Sequence, residues 1–223
     1  MWFMKSHARV PMPSRVLLAS VLMAASGAAP AESPRLIYLP SSEPGVDHGA
    51  IVQALGAQGF QVVSVNSEGQ DRLTYAKRVA KDVRGLLAQG VPAAQINVVG
   101  AGTGSAVATL VSARVGDPGV NYVLLGRCDP ILKSEYRFRM SGRVLGIQDD
   151  ADTASHSCRS LWSESPKVSD RQELVLHSGY GATLFHASRE QWMAPLVQWS
   201  DGGRVTVGEG ARVSQVEPRQ RDD

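Results

Sequence analysis

Residues 95–115, QINVVGAGTGSAVATLVSARV, decide the fold of this chain. They open with an apolar, β-branched run at residues 96–99, which has the composition of a buried strand. Three glycines follow within residues 100–104, and residues 105–114 are a run of mostly small residues with helical composition. Glycine adopts backbone conformations that other residues avoid and lets a helix approach a sheet closely. The stretch therefore predicts a strand, a tight turn and a closely packed helix.

Residues 1–31 have the pattern of a secretory signal peptide. An apolar run at residues 16–25 precedes Ala29, Pro30 and Ala31, which supply a small-x-small cleavage motif. The basic residues before the run are Lys5, Arg9 and Arg15. The run is shorter than the roughly 20 residues that a membrane span needs. We therefore expect cleavage after Ala31, a secreted or periplasmic protein, and no membrane span in the mature chain.

Residues 32–223 are long enough for one domain with a sizeable core. The full chain carries a net charge of +2, and removal of the three basic signal residues leaves about −1. No run of clustered Lys and Arg remains along the mature sequence. Because binding to phosphate backbones needs such clusters, the sequence argues against nucleic acid as a partner.

The mature chain contains two cysteines, Cys128 and Cys158. In an oxidising compartment an even pair favours a disulfide, and the alternative is two buried thiols.

Strand-like and helix-like segments alternate along residues 32–200. The predicted strands are residues 35–40, 60–65, 96–99, 121–126, 143–147 and 173–176. The predicted helices are residues 50–58, 74–89, 105–114 and 191–199. This alternation predicts an α/β protein with a doubly wound, mostly parallel sheet and flanking helices. Residues 201–223 are Gly-rich and then charged, which predicts a partly disordered tail. A small hairpin of residues 204–207 and 212–216 is the alternative for part of it.

Four segments resemble parts of one fold family. They are the glycine turn at residues 100–104, the strand at 121–128, the strand and acidic loop at 142–152, and residues 178–185 followed by Trp192 and Trp199. In order and spacing, residues 50–199 resemble a compact α/β hydrolase without a large lid, related to dienelactone hydrolases. The two tryptophans lie seven residues apart, on one face of a helix, and we expect them to pack against the sheet rather than form a ligand platform.

The resemblance implies a Ser, Asp and His triad, and this chain departs from it at two positions. The turn of the family reads Gly-x-Ser-x-Gly, and the serine position is Gly102. The histidine position, set by the pattern at residues 178–183, is Ala182, or Tyr180 in another register. The acid is retained as Asp152, or as Asp149 or Asp150 after a small shift. The leading hypothesis is a non-catalytic member that keeps a cleft for a small molecule or an anion.

A second hypothesis is a weak or atypical ester hydrolase that uses other residues. Ser105 and Thr103 are the alternative nucleophiles. The alternative bases are His177, His186 and His156, whereas His48 has no partner that the sequence identifies.

A third hypothesis is nucleotide or phosphate binding at residues 100–105. The pattern Gly-x-Gly-x-x-Ser is one residue from a dinucleotide-binding turn, and Gly102, Thr103 and Gly104 would present backbone N–H groups to an anion. The following strand does not end in the expected acidic residue, and no lysine completes a phosphate-binding loop. No spacing resembles a metal site, since the acidic loop at residues 149–152 lacks the glycine and glutamate of a calcium loop. We expect no cofactor.

Overall fold

The computed structural model describes residues 33–206 and 211–214. The strands are β1 (Arg35–Leu39), β2 (Gln61–Ser64), β3 (Ile96–Ala101), β4 (Asn121–Leu125), β5 (Ser141–Asp149), β6 (Lys167–Leu176) and β7 (Ala211–Ser214). The helices are α1 (His48–Ala57), α2 (Arg72–Ala88), α3 (Thr103–Val115), α4 (Ile131–Glu135), α5 (Arg159–Trp162) and α6 (Glu190–Ser200). The predicted signal peptide lies outside the described residues. Within them, no helix is both long and apolar enough to cross a membrane.

The described strands form one sheet in the order β2-β1-β3-β4-β5-β6-β7. Neighbours from β2 to β6 run parallel, and β7 runs antiparallel to β6. The chain moves outward from β1 to β2, returns to β3 on the other side of β1, and then continues in one direction. The predicted doubly wound, mostly parallel sheet is confirmed. The direction changes between β1 and β3, and the carboxyl ends of such strands are where ligands bind in open α/β sheets.

Helices cover both faces of the sheet, as the alternating pattern predicts. Every residue of β3 and β4 is buried, which is typical of central parallel strands. On one face, α2 and α3 pack against the sheet, and on the other face α1 and α6 do so. Trp192 and Trp199 of α6 are both fully buried in this second core, so the expectation that they pack is confirmed.

The chain continues to pack against the sheet beyond residue 200, at the start of the predicted tail. Val205 is buried, and its backbone N–H and carbonyl bond to the side chain of Gln172 at 2.8 Å and 2.7 Å. Arg143 donates to the carbonyls of Trp199 and Gly203 at 2.9 Å and 3.0 Å. These contacts tie the end of α6 to the sheet.

The hairpin expected in the tail does not form in the described residues. Residues 204–206 are not a strand, and Ala211–Ser214 pairs with β6 instead, with Leu174 opposite Val213. An antiparallel edge strand here covers the exposed side of β6. Residues 207–210 and 215–223 lie outside the described part of the chain.

Candidate functional site

The turn between β3 and α3 has the geometry of a nucleophile elbow. Gly102 caps α3 with φ 50° and ψ −114°, a conformation in which a residue with a side chain is strained. Its N–H donates to the Leu125 carbonyl at 2.9 Å, and its carbonyl accepts from Ser105 N at 3.1 Å. The backbone of a strained strand-to-helix turn is therefore in place, and the residue at its apex has no side chain.

Close packing at the start of α3 also depends on glycine. A Cβ atom added to Gly104 would overlap the backbone carbonyl of Leu39 at the end of β1. Backbone atoms of β1 cannot move aside as a flexible side chain can. Gly104 therefore allows the first turn of α3 to lie directly against the sheet.

A cavity of about 320 Å³ lies over the elbow, at the carboxyl ends of the central strands. Gly102, Asp152 and Ala182 all line it, although they follow three different strands. The structure thus brings together the three positions that the resemblance assigned to nucleophile, acid and base. Of these, only the acid carries a functional side chain.

The loop after β1 fills the space above Gly102. Ser41 Oγ lies 2.5 Å, and Glu43 Oε1 lies 3.5 Å, from the position of a Cβ atom built on Gly102. The Ser41 hydroxyl is held there because it accepts a hydrogen bond from Glu43 N at 3.1 Å. Sequence reasoning missed both residues, because their place in the site depends on the β1–β3 neighbour relationship.

Glu43 is the centre of a charged cluster on the cavity wall. Its carboxylate oxygens lie 3.6 Å from Arg127 Nη1 and 3.5 Å from His186 Nε2. All three side chains line the cavity and are partly exposed. Arg127 follows β4 and His186 ends the short 3₁₀ segment Gly181–His186. His186 is thus the one alternative base that the structure places at the elbow cavity.

Neither alternative nucleophile has a free hydroxyl facing this cavity. Ser105 is fully buried, and its hydroxyl donates to the carbonyls of Gly100 and Leu125 at 2.8 Å and 3.0 Å. Thr103 Oγ1 accepts from Ser42 N at 2.9 Å and lies 3.1 Å from Ser42 Oγ. Both hydroxyls hold α3 against neighbouring backbone segments.

The three acidic residues after β5 have different roles. Asp149 is buried and accepts from the N–H groups of Ser178, Ala151 and Gly181 at 3.0 to 3.1 Å, and from the Ser178 hydroxyl. Burial raises the pKa of Asp149, but these hydrogen bonds outweigh that effect and hold its pKa below the ordinary aspartate range. Asp149 therefore holds the loop after β6 in place through hydrogen bonds. Asp152 is the acidic residue that lines the cavity.

The other histidines that the structure describes do not line the cavity over Gly102. His177 pairs with Asp150, and both side chains are substantially exposed. His156 is exposed. His48 does have partners: its ring nitrogens lie 3.1 Å from the Tyr38 hydroxyl and 3.0 Å from the Ser41 carbonyl. The sequence could not show these contacts, because they join β1 and the loop after it to the start of α1.

Cys128 and Cys158 form a disulfide, with Cα atoms 4.8 Å apart. It joins the segments that follow β4 and β5, both at the carboxyl edge of the sheet. Gly146 of β5 makes room for it, since a Cβ atom there would lie 2.5 Å from Cys158 Sγ. The predicted pairing is confirmed.

The residues proposed for anion binding divide between two cavities. Gly102 lines the cavity described above, whereas Thr103 and Gly104 line a second one of about 380 Å³ that also includes His48 and Arg72. The Glu43 carboxylate lies on the Gly102 side. In the described part of the chain, no group of three or more His, Cys, Asp or Glu side chains is arranged to hold a metal ion.

Comparison with solved structures supports the fold described above. The structure is similar to a candidate dienelactone hydrolase of Klebsiella pneumoniae, with a TM-score of 0.53 and 13% sequence identity over 78% of this chain and 89% of that one. The chain has the α/β hydrolase fold. It is also similar to the RedJ thioesterase of the prodiginine biosynthetic pathway in Streptomyces coelicolor, with a TM-score of 0.50 and 14% identity over 82% of this chain and 97% of that one. No family model matches the sequence, and no curated protein matches it.

Proposed function

We propose that this α/β hydrolase-fold protein does not hydrolyse esters and instead binds a small molecule in the cavity over its elbow. The observation that carries the proposal is that Gly102 holds the nucleophile position while Ser41 occupies the space of the missing side chain. Covalent catalysis on this fold needs a nucleophile within hydrogen-bond reach of a base. Gly102 and Ala182, which hold these two positions, have no side chain that can act as a nucleophile or a base.

The surroundings of the two alternative nucleophiles, Ser105 and Thr103, do not support a catalytic triad built from other residues. The Ser105 hydroxyl is buried and already donates to a carbonyl oxygen, and Thr103 is bonded to Ser42. His186 lies on the cavity wall, but the charged group next to it is the Glu43 carboxylate. Neither Ser105 nor Thr103 lines that cavity, so His186 has no alternative nucleophile to activate there.

The cavity lining indicates the chemistry of the ligand. Pro44, Val46 and Phe185 provide apolar walls, and the Glu43–Arg127 pair offers an acceptor next to a donor. The Glu43 carboxylate lies close to the elbow and would repel an anion at that point. The lining therefore favours an uncharged molecule with an apolar body and an amide-like or ester-like group over an anion.

We also propose that the protein is exported to an oxidising compartment. The Cys128–Cys158 disulfide supports this, because such bonds persist in secreted and periplasmic proteins and are rare in the cytosol. The signal-like pattern of residues 1–31 supports it independently.

Ligand-observed NMR tests the binding proposal, with N-phenylbutanamide as an uncharged probe that carries an apolar ring and an amide. We expect saturation transfer from the wild-type protein to the probe, and no transfer from an Ala182→Trp variant whose indole fills the cavity. A control variant, Ala88→Trp at the exposed end of α2, should behave as the wild type. Absence of transfer from the wild type, or equal transfer from both variants, would contradict binding in this cavity.

A further inference from the structure

A third and larger cavity, a groove, lies at the opposite edge of the sheet from the elbow. Its volume is about 680 Å³, and its lining includes Ser141 and Lys167, which open β5 and β6, and Gly116, which follows α3. Because these strands are parallel, their first residues lie at the far edge from the carboxyl ends that form the elbow cavity. The groove is thus separate from the site proposed above and does not depend on it.

Five cationic side chains line this groove. They come from α2, α3, the segment between α4 and β5, and the start of β6, and they are Arg84, Arg114, Arg137, Arg139 and Lys167. Among the residues that the structure describes, no carboxylate lies within ion-pair distance of any of them. The one acidic residue in the lining, Glu135, is paired with Arg72 at 3.1 Å. The groove therefore has a high local positive charge, although the net charge of the whole chain is close to zero.

The local backbone presents these cations to solvent. Tyr136 and Phe138 are half-buried and pack against the core, while Arg137 and Arg139 between and after them are exposed. An extended segment places alternate side chains on opposite sides, so the aromatic pair fixes the segment and leaves both guanidinium groups outside. Arg84 in turn donates to the backbone carbonyl of Arg114 at the end of α3.

The floor of the groove is partly apolar. Leu73, Leu110 and Pro166 contribute to the lining together with Phe138. A concave site of this volume matches the size range of pockets for discrete organic ligands. Its shape fits a molecule with an apolar body and several negative charges better than it fits a flat membrane surface or a long polymer.

We infer that this groove binds a small organic anion with at least two phosphate groups. Close, unpaired cations repel one another, and a ligand that neutralises them relieves that repulsion. Guanidinium groups match phosphate oxygens with paired hydrogen bonds. A phosphate monoester carries up to about two charges at neutral pH, so two phosphates offset most of the five positive charges within this volume, whereas a single carboxylate offsets only one.

Isothermal titration of the purified protein with inorganic pyrophosphate, and with geranyl diphosphate as an analogue with an apolar chain, tests the inference. We expect both to bind, geranyl diphosphate more tightly because of the apolar floor, and both more weakly as the salt concentration rises. The Arg137→Gln/Arg139→Gln variant should lose about tenfold or more in affinity. The Lys77→Gln/Lys81→Gln variant removes the same charge from exposed positions of α2 outside the groove, and its affinity should stay within about twofold of the wild type.

Thermal unfolding of both variants shows whether they are folded. No binding of either ligand by the wild-type protein would overturn the inference, and so would an equal loss in the two variants. Binding of the protein to vesicles of phosphatidylglycerol and phosphatidylcholine, mixed 3:7, shows whether the groove binds a membrane surface rather than a small ligand. Tight vesicle binding that pyrophosphate does not displace would also overturn it.

Discussion

The hydroxyl oxygen of Ser41 lies 2.5 Å from the point where a Cβ atom on Gly102 would stand. A nucleophile at the elbow and the present position of Ser41 therefore exclude each other. The absence of a side chain at Gly102 and the position of the loop after β1 form one arrangement. Glu43, Arg127 and His186 line the cavity beside them.

Gly102→Ala tests this exclusion. A side chain at φ 50° is strained by about 1–3 kcal/mol, and the overlap with Ser41 adds to that cost. In a Ser41→Ala background the same substitution should cost about 1 kcal/mol less, because the hydroxyl no longer obstructs the Cβ atom. The measurement is urea unfolding of the four proteins of the double-mutant cycle.

Gly85→Ala is the matched control, since nothing lies within 4 Å of a Cβ atom at that position inside α2. It should stabilise the protein by about 0.5–1 kcal/mol through helix propensity. Additive effects of the Ser41 and Gly102 substitutions would show that the two side chains do not compete for this space.

Asp149→Asn should destabilise the fold by about 2–4 kcal/mol. The carboxylate accepts four hydrogen bonds from the loops after β5 and β6, and an asparagine amide turns a donor toward two of those groups. Asp150→Asn is the control, because Asp150 is exposed and its pairing with His177 contributes little. Equal losses of stability for the two substitutions in urea unfolding would argue against a role of Asp149 in holding these loops.

Asp149 also predicts a pH dependence. Its pKa is lower in the folded than in the unfolded chain, so its contribution to stability is fully present above the ordinary aspartate pKa of about 4. It is lost as the pH falls through the lower pKa of the folded state. The difference in stability between wild type and Asp149→Asn should therefore shrink below about pH 4. A constant difference from pH 6 to pH 3 would contradict this assignment.

Arg143→Lys should cost about 2–4 kcal/mol, nearly as much as Arg143→Met. The guanidinium donates to Asn121 Oδ1 at 3.0 Å and to the backbone carbonyls of Trp199, Gly202 and Gly203 at and beyond the end of α6. It also lies 4.1 Å from the centre of the Trp199 ring. A lysine ammonium cannot reproduce this planar arrangement of donors. Retention of wild-type stability by the lysine variant would show that charge alone is needed there.

Replacement of Cys128 and Cys158 together by alanine should lower the stability by about 3 kcal/mol, because the disulfide closes a segment of 30 residues. A reducing agent should destabilise the wild type by a similar amount and leave the double variant unchanged. Mass measurement under non-reducing conditions checks the bond itself, and two free thiols would contradict it.

Much of the fold was predictable because it depends on local patterns. The elbow at residues 100–104 follows from glycine spacing, and the disulfide follows from an isolated pair of cysteines. The strand β7 was not predictable, since residues 211–214 acquire their pairing only from β6. The early part of β6 was missed because residues 167–172 are mostly polar.

The candidate site also has parts that the sequence predicted and parts that it could not predict. Gly102, Asp152 and Ala182 were assigned by the resemblance to α/β hydrolases, and all three line one cavity. Ser41, Glu43 and Arg127 were not, because the contacts among them join loops after β1 and β4 that are distant in sequence. The cationic groove could not be predicted for the same reason. The fold brings five positive charges from four separate segments together, and no single stretch of the sequence contains the cluster.

Hydrolysis of p-nitrophenyl acetate and p-nitrophenyl butyrate by the purified protein tests whether the elbow is catalytic. A Ser41→Gly/Gly102→Ser/Ala182→His variant, run beside it, restores both side chains and makes room for the new serine. We predict that the wild type does not exceed the buffer rate and takes up no fluorophosphonate label, and that the variant is labelled at residue 102. Wild-type turnover that persists through purification, with stoichiometric labelling of a serine, would contradict a non-catalytic elbow.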